Sequence, residues 1–351
     1  MIILGLESSC DETAAAVVQS GSKVLSSEVY SQIETHRLFG GVVPEVAARE
    51  HLKIIDSIVN RALENAGLSL KEIDAIAVTQ GPGLVGALLV AISYAKGLAS
   101  ASGKALIPVN HVHAHVHGAF LGLDKVFDDY PSLALVVSGG HTNLYHMSSP
   151  TQFDLLAHSI DDACGESFDK VAKLLDLGYP GGPVVEKLAL NGTSTSFEMP
   201  KMIDDKSRLA FSYSGLKTHV VNTLRKQKSE LSVETKANLC ASFQEAALDQ
   251  LVRKIKAACL IRSVKSIVIA GGVAANQRFR TMLKESTNLP CVFPGLAYCS
   301  DNAAMIAALG YHQYKAKSPL DLGDEGKLPA TDWDAFSRYQ YEGEGSGFGA
   351  S

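Results

Sequence analysis

Two stretches about 130 residues apart each alternate apolar residues on either side of a small polar turn, and this pairing limits what the chain can become. In the first, Ile2, Leu4 and Leu6 alternate, the polar segment Glu7 to Thr13 follows, and Ala14 to Val18 resumes the apolar run. In the second, Leu133 to Val137 leads into Ser138-Gly139-Gly140-His141-Thr142 and then Asn143 to Met147. Alternation with a period of two, broken by Ser, Gly and Asp, reads as strand, turn, strand. The residue identities do not repeat but the pattern does, which predicts a duplicated architecture. Val46, Ala47, Leu52, Ile55, Val59, Ala62 and Ala66 mark an amphipathic helix. A buried strand over Ala75 to Val78, the turn Gly81-Pro82-Gly83, an apolar helix to Ala99 and a strand over Ala105 to Val109 follow. Further helices are expected at about 161–177, 235–260 and 276–285, with an apolar strand from Ile267 to Ala270. Strands alternating with helices predict an α/β protein. At roughly 150 residues per domain, 351 residues predict two. These are set at 1–104 plus 297–330 and at 105–296, and the Gly/Ser-rich end makes 331–351 a flexible tail.

Composition removes several function classes. Hydrophobic residues at 46% and charged residues at 20% exclude wholesale disorder. With 32 Lys and Arg against 37 Asp and Glu, the formal charge is −5, so bulk basicity cannot drive nucleic-acid binding. Any such contact must come from a local patch. Lys217 to Lys228 and Arg253 to Lys265 are the clearest clusters, and solvated helix faces explain them equally well. The longest apolar stretch, Leu84 to Tyr94, is short for a bilayer, and Met1 to Gly5 lacks a charged leader. Six cysteines contain no CxxC pair. A cytoplasmic protein that does not engage a membrane is the expectation.

The densest chemistry is Asn110-His111-Val112-His113-Ala114-His115-Val116-His117. On a helix, His111 and His115 share one face, and His113 and His117 another. Imidazoles four apart can hold one divalent ion if a third ligand arrives from elsewhere. The intervening Glu of HExxH is missing, so a zinc peptidase is not supported. A helix start with locally bonded histidines fits the spacing as well. Asp301, in Tyr298-Cys299-Ser300-Asp301-Asn302, stands before an apolar run where a helix cap is expected, and a capping carboxylate keeps one oxygen for a metal. Three small-residue turns can face phosphate through their amides: Ser138 to Thr142, Gly271 to Asn276 and Tyr179 to Pro183. None is GxGxxG or a P-loop. Together, at strand ends of an α/β chain, they point to a nucleotide. Asp11 and Glu12, in the first turn, are candidate general bases if that turn faces the nucleotide. Asp169 and Lys173 have the spacing of a surface ion pair.

As a set, these segments resemble the bacterial-type tRNA threonylcarbamoyladenosine synthesis family, specifically its transferase subunit. The match runs through Gly5 to Thr13, Gly40 to Glu45, Thr79 to Leu84, Asn110-His111 with His115, Val137 to Thr142 and Phe168 to Lys170. It continues through Tyr179 to Pro183, Phe211 to Lys217, Gly271 to Asn276 and Tyr298 to Asn302, covering about residues 2 to 320. Tyr213 departs mildly from the family's usual Phe, and His113 and His117 add imidazoles beside the expected ligands.

The resemblance implies the actin/hexokinase/Hsp70-like ATPase fold, two duplicated α/β lobes around a nucleotide cleft. It implies one divalent metal per subunit, Fe2+ ahead of Zn2+, on His111, His115 and Asp301. Substrate contacts fall on Val136, Val137, Ser138, Gly139, Gly140, Asp169, Gly182 and Asn276, with threonylcarbamoyl-AMP or an ATP-type nucleotide as ligand. The implied activity passes a threonylcarbamoyl group to the exocyclic amine of the adenosine 3′ of the anticodon, in tRNAs reading codons that begin with A. Implied partners are tRNA, a paralogous subunit of the same fold and a small P-loop ATPase; a homodimer is also open. The rival readings are a kinase or ATPase of the same fold and a non-catalytic nucleotide-binding assembly subunit. Imidazole ligands count against the kinase, because Mg2+ takes oxygen donors.

Overall fold

The computed structural model describes residues 1–39, 41–123, 127–205, 208–226, 231–316 and 333–337. Cα proximity divides the chain into a first unit, Met1–Ala114 with Asn302–Ser351, and a second, His115–Asp301. The sequence reading sets the breaks at 104/105 and 296/297 instead.

The first unit holds β1 (Ile2–Glu7), β2 (Glu12–Gln19), β3 (Lys23–Ser31), β4 (Ala75–Gly81) and β5 (Ala105–Asn110). The second holds β6 (Ser132–Val137), β7 (Thr142–Ser149), β8 (Gln152–His158), β9 (Ser266–Ala270) and β10 (Cys291–Val292). The helices in chain order are α1 (Ile33–Arg37), α2 (Pro44–Ala66), α3 (Val85–Ser102), α4 (His111–Gly118) and α5 (Cys164–Leu174). They continue with α6 (Gly181–Ala189), α7 (Ser214–Lys226), α8 (Val233–Ile261), α9 (Gln277–Ser286) and α10 (Ala303–Ala316).

The two sheets have one topology, β3-β2-β1-β4-β5 and β10-β9-β6-β7-β8. In each, the first strand runs antiparallel to the second and the second to the third, and two parallel strands are added on the other flank. The duplication read from the two hairpins is therefore the architecture. Strands β1 and β4 read as continuous apolar runs because α3 and α10 both pack on them, and β6 and β9 are likewise buried along their length. From Ser26 to Ser31, less and more exposed positions of β3 alternate, as they do in a strand with one solvated face.

Helix α2 begins with Pro44 at its first position and ends at Gly67, whose φ of 67° is the left-handed C-cap. Its buried row, Ala47, His51, Ile55, Ile58, Val59 and Ala62, packs over the first sheet. Helix α10 packs across β1, where Gly5 makes room: a Cβ there would overlap the Ala303 carbonyl. Among the described residues, α3 alone is long and apolar enough to cross a membrane, with a mean hydropathy of 1.4. It extends the Leu84–Tyr94 run through Lys96 to Ser102, and Ala87, Leu88, Ala91, Ile92, Ala95 and Ala99 are buried in the first unit.

Of the expected tail, residues 333–337 pack on the first unit: Lys96 Nζ donates to the Trp333 carbonyl at 2.7 Å and Gln80 Nε2 to that of Asp334 at 2.9 Å. The remainder of 331–351 lies outside the described residues, as do Gly40, Lys228 and 317–330.

Candidate functional site

The β1–β2 turn is filled with anchored side chains. Glu7, at the end of β1, is 0% exposed. One carboxylate oxygen accepts the Ser9 amide; the other accepts the Thr79 hydroxyl at 2.5 Å and lies 3.1 Å from His111 Nδ1. Ser9 Oγ is 3.2 Å from the same nitrogen. Asp11 is buried, and its carbonyl accepts the Gln32 amide at 2.9 Å. Beneath the turn runs a buried relay. His36 Nδ1 accepts the Val43 amide at 3.3 Å and its Nε2 donates to Gln32 Oε1 at 3.0 Å. Gln32 Nε2 donates to the Ala47 carbonyl at 3.4 Å and lies equally far from His51 Nδ1. His51 Nδ1 accepts the Thr13 hydroxyl at 2.7 Å, and its Nε2 donates to the Cys10 carbonyl at 3.0 Å. Burial lowers the His51 pKa below the ordinary imidazole value, in keeping with a neutral ring.

Asn110 caps α4, its Oδ1 accepting the Val112 and His113 amides at 2.9 and 3.1 Å. That cap starts the helix so that His111 and His115 stand one turn apart. Asn302, not Asp301, caps α10, accepting the Met305 amide at 3.0 Å. The carboxylate of Asp301 lies 3.2 Å from His115 Nε2. Ring nitrogens of His111 and His115 and a carboxylate oxygen of Asp301 fall within 4.8 Å of one another, a group able to hold a metal ion. His113 and His117 are outside this group. His117 Nε2 donates to the Pro150 carbonyl at 2.8 Å, and burial lowers the His113 pKa to about 4.

The β6–β7 turn is built differently. Ser138 N donates to the His141 carbonyl at 2.8 Å, Ser138 Oγ accepts the His141 amide at 3.2 Å, and Gly139 and Gly140 are exposed. Val136 and Val137 are fully buried in the ladder. Thr142 accepts the Cys164 amide at 2.8 Å and so starts α5 under the turn. Gly271 comes close from β9: its φ is 88°, and a Cβ there would sit 2.5 Å from the Val137 carbonyl. Asn276 caps α9 through the Phe279 amide at 3.0 Å and is fixed by Gln244 at 2.8 Å. Asp169 does not pair with Lys173; it accepts the Gly181 amide at 2.7 Å, next to Gly182. Burial raises the Asp169 pKa against that bond. The second unit thus gathers Ser138 to Gly140, the Gly272–Ala275 turn and α5 at one end of its sheet.

A family model described as tRNA N6-adenosine threonylcarbamoyltransferase matches residues 23–308. The chain belongs to that family. The tRNA N6-adenosine threonylcarbamoyltransferase of Clostridium beijerinckii is 47% identical over 329 residues, covering 93% of this chain and 96% of its own. Among solved structures, the (R)-2-hydroxyglutaryl-CoA dehydratase component A of Acidaminococcus fermentans aligns with a TM-score of 0.53 at 17% identity, over 90% of this chain and 99% of that one. The ROK hexokinase of Thermus thermophilus aligns at 0.50 and 14%, over 90% and 100%. These likenesses give the fold, which is the actin/hexokinase-like ATPase fold.

In this threonylcarbamoyltransferase-family chain, several anchoring residues carry no motif. Asp161 accepts the Ser212 and Ser214 hydroxyls and the Tyr213 amide, at 2.5, 2.7 and 2.7 Å, and so fixes the start of α7. Burial pushes its pKa up, and these bonds outweigh it and hold it low. Asp162 binds Lys170 at 2.7 Å and Lys217 at 3.1 Å, while Arg253 pairs with Asp249 at 2.7 Å. Carboxylates therefore occupy part of both basic clusters. Consecutive aspartates in a loop carry no periodic signal, and only their distant partners reveal what they do.

Proposed function

We propose that the chain joins the threonylcarbamoyl group of threonylcarbamoyl-AMP to the exocyclic amine of the adenosine 3′ of the anticodon, in tRNAs reading codons that begin with A. The observation that carries this reading is the gathering of His111, His115 and Asp301 within 4.8 Å in a chain of this family. Two imidazoles and a carboxylate are the donor set that leaves positions open on a divalent ion, and a phosphoryl-transfer Mg2+ site would be lined with oxygen instead. The residues fit, and we assign one ion per subunit to them, Fe2+ ahead of Zn2+. Such an ion, when bound, supplies Lewis-acid polarisation of the carbonyl.

The chain's own residues do the rest. Exposed amides at Gly139 and Gly140, in the turn that Ser138 closes, can hold the phosphate and stabilise the charge that grows as AMP departs. Val136 and Val137 act by fixing the strand end. Asp169, Gly182 and Asn276 flank the nucleotide. The amine nitrogen forms a bond to the carbamoyl carbon, the carbon–oxygen bond to phosphate breaks, and the amine proton passes to the carboxylate of Asp11 or Glu12. tRNA is the acceptor and the cytoplasm the setting. A same-fold subunit is assigned to the apolar face of α2 and α3, where a groove of about 330 Å³ is lined by Leu52, Ile55, Leu89, Val90, Ser93 and Tyr94. A small P-loop ATPase completes the assembly, and a homodimer is the alternative use of that face.

The deciding assay supplies threonylcarbamoyl-AMP and unmodified tRNA to the protein with these partners. Modified adenosine and AMP should appear one for one. Phosphate release from ATP by the chain alone, with no change to the tRNA in the full assay, would instead favour the kinase or ATPase reading.

A further inference from the structure

Glu7 is a carboxylate with no exposure, and a buried charge is tolerated only when its oxygens are matched. It receives an amide hydrogen from Ser9 and a hydroxyl hydrogen from Thr79, and it faces His111 Nδ1 at 3.1 Å. An ionised carboxylate only accepts hydrogen bonds, so the ring nitrogen facing it must carry the proton. In the neutral ring, the form that can bind a metal, the lone pair of His111 is then on Nε2. The opposite tautomer would set two lone pairs against each other and place a hydrogen on the nitrogen left for a metal. We propose that Glu7 is the positioning residue of the metal centre, holding His111 as the tautomer that presents its Nε2 lone pair to the ion. This rests on reading His111, His115 and Asp301 as that centre.

The surrounding geometry restricts alternatives. Glu7 ends β1, which is paired with β2 and β4 on its two sides, and Thr79 lies on β4, so neither backbone can drift. Ser9 Oγ, 3.2 Å from Nδ1, adds a second acceptor on the same side of the ring. A carboxylate behind a metal-binding imidazole raises its basicity as well as aiming it, and losing such a partner costs about 10–100-fold in metal affinity.

The test measures Zn2+ and Co2+ affinity of the full chain by competition with a chromogenic chelator, for Glu7→Gln, Glu7→Ala, Asp301→Ala and the unaltered protein. Glu7→Ala should lose about 10–100-fold, and Glu7→Gln, which keeps an acceptor but not the charge, should lose less. If Asp301→Ala binds weakly while both Glu7 variants match the unaltered protein, the positioning role falls and the metal centre stands. If Asp301→Ala also binds normally, the metal centre itself falls. Should the Glu7 variants fail to fold, nitrogen-15 spectra of histidines in the unaltered, Zn2+-loaded protein decide. A proton on His111 Nδ1 supports the role, and a proton on Nε2 overturns it.

Discussion

The β1–β2 and β6–β7 turns occupy the same place in two sheets of identical topology, yet they are opposites in construction. The first is packed with side chains: Glu7, Ser8, Ser9, Asp11 and Thr13 are all buried there. The second is nearly bare, with Gly139 and Gly140 exposed and a Cβ at either meeting nothing within 4 Å. Duplication supplied one frame, and under the proposed function the two copies serve different chemistries. Handling protons and metal ligands needs functional groups locked by neighbours, whereas holding a phosphate needs only amides and open space.

The sharpest way to break this contrast is to remove the imidazoles. A His111→Ala/His115→Ala protein should lose bound metal and, if the ion supplies several kcal/mol, about 10³-fold in turnover. Metal analysis beside the transfer assay checks both, and full activity without metal would end the assignment. Asp11→Asn probes the first turn's side chains more gently: kcat should fall about 10²-fold while nucleotide affinity is kept. Equal turnover would move the base to Glu12 or to solvent. For the second turn the expected signature is reversed. Gly139→Val should raise KM for threonylcarbamoyl-AMP about tenfold with the melting temperature unchanged, because the new methyls meet ligand rather than protein. Gly271→Ala tests the frame beneath, where a left-handed φ and the Val137 carbonyl should together cost about 1–3 kcal/mol in denaturant unfolding.

The smallest effect is electrostatic. The pKa of His51 is lowered in the folded protein by burial, so below about pH 6.5 the unfolded chain takes a proton that the folded chain refuses. Stability contributed by the neutral ring is present above that pH and is lost as pH falls toward the folded value, by at most about 1.4 kcal/mol per unit. Denaturation midpoints between pH 7.5 and 5.5 should therefore slope less in His51→Gln than in the unaltered protein, and equal slopes would remove this site from the acid response.

The hairpins and the α/β class were legible because period-two patterns and their turns are local. The strand β3 and the helices α6 and α7 leave little local signal, since β3 mixes polar and apolar residues, α6 opens on Gly181, Gly182 and Pro183, and α7 buries only Leu216 and Val220. The His111/His115 pair was legible from a helical repeat; Asp301, 186 residues beyond His115, was linked only by resemblance. By spacing alone Asp301 and Asn302 compete for one cap, and the structure gives it to Asn302. Glu7 lies in the Gly5–Thr13 segment with nothing local to mark it, because its significance lies in a partner at position 111.

The relay under the first turn has a sense of direction. From Val43 through His36 to Gln32, and from Thr13 through His51 to Cys10, each hydrogen points one way. Gln32 is the member whose two ends differ, oxygen toward His36 and nitrogen toward Ala47 and His51. A carboxylate of the same shape at that position would present acceptors at both ends, and the polarity of the whole chain of bonds would have to be reset. The entry to α2 and the backbone beside Asp11 are thus keyed to one another by the orientation of a single amide.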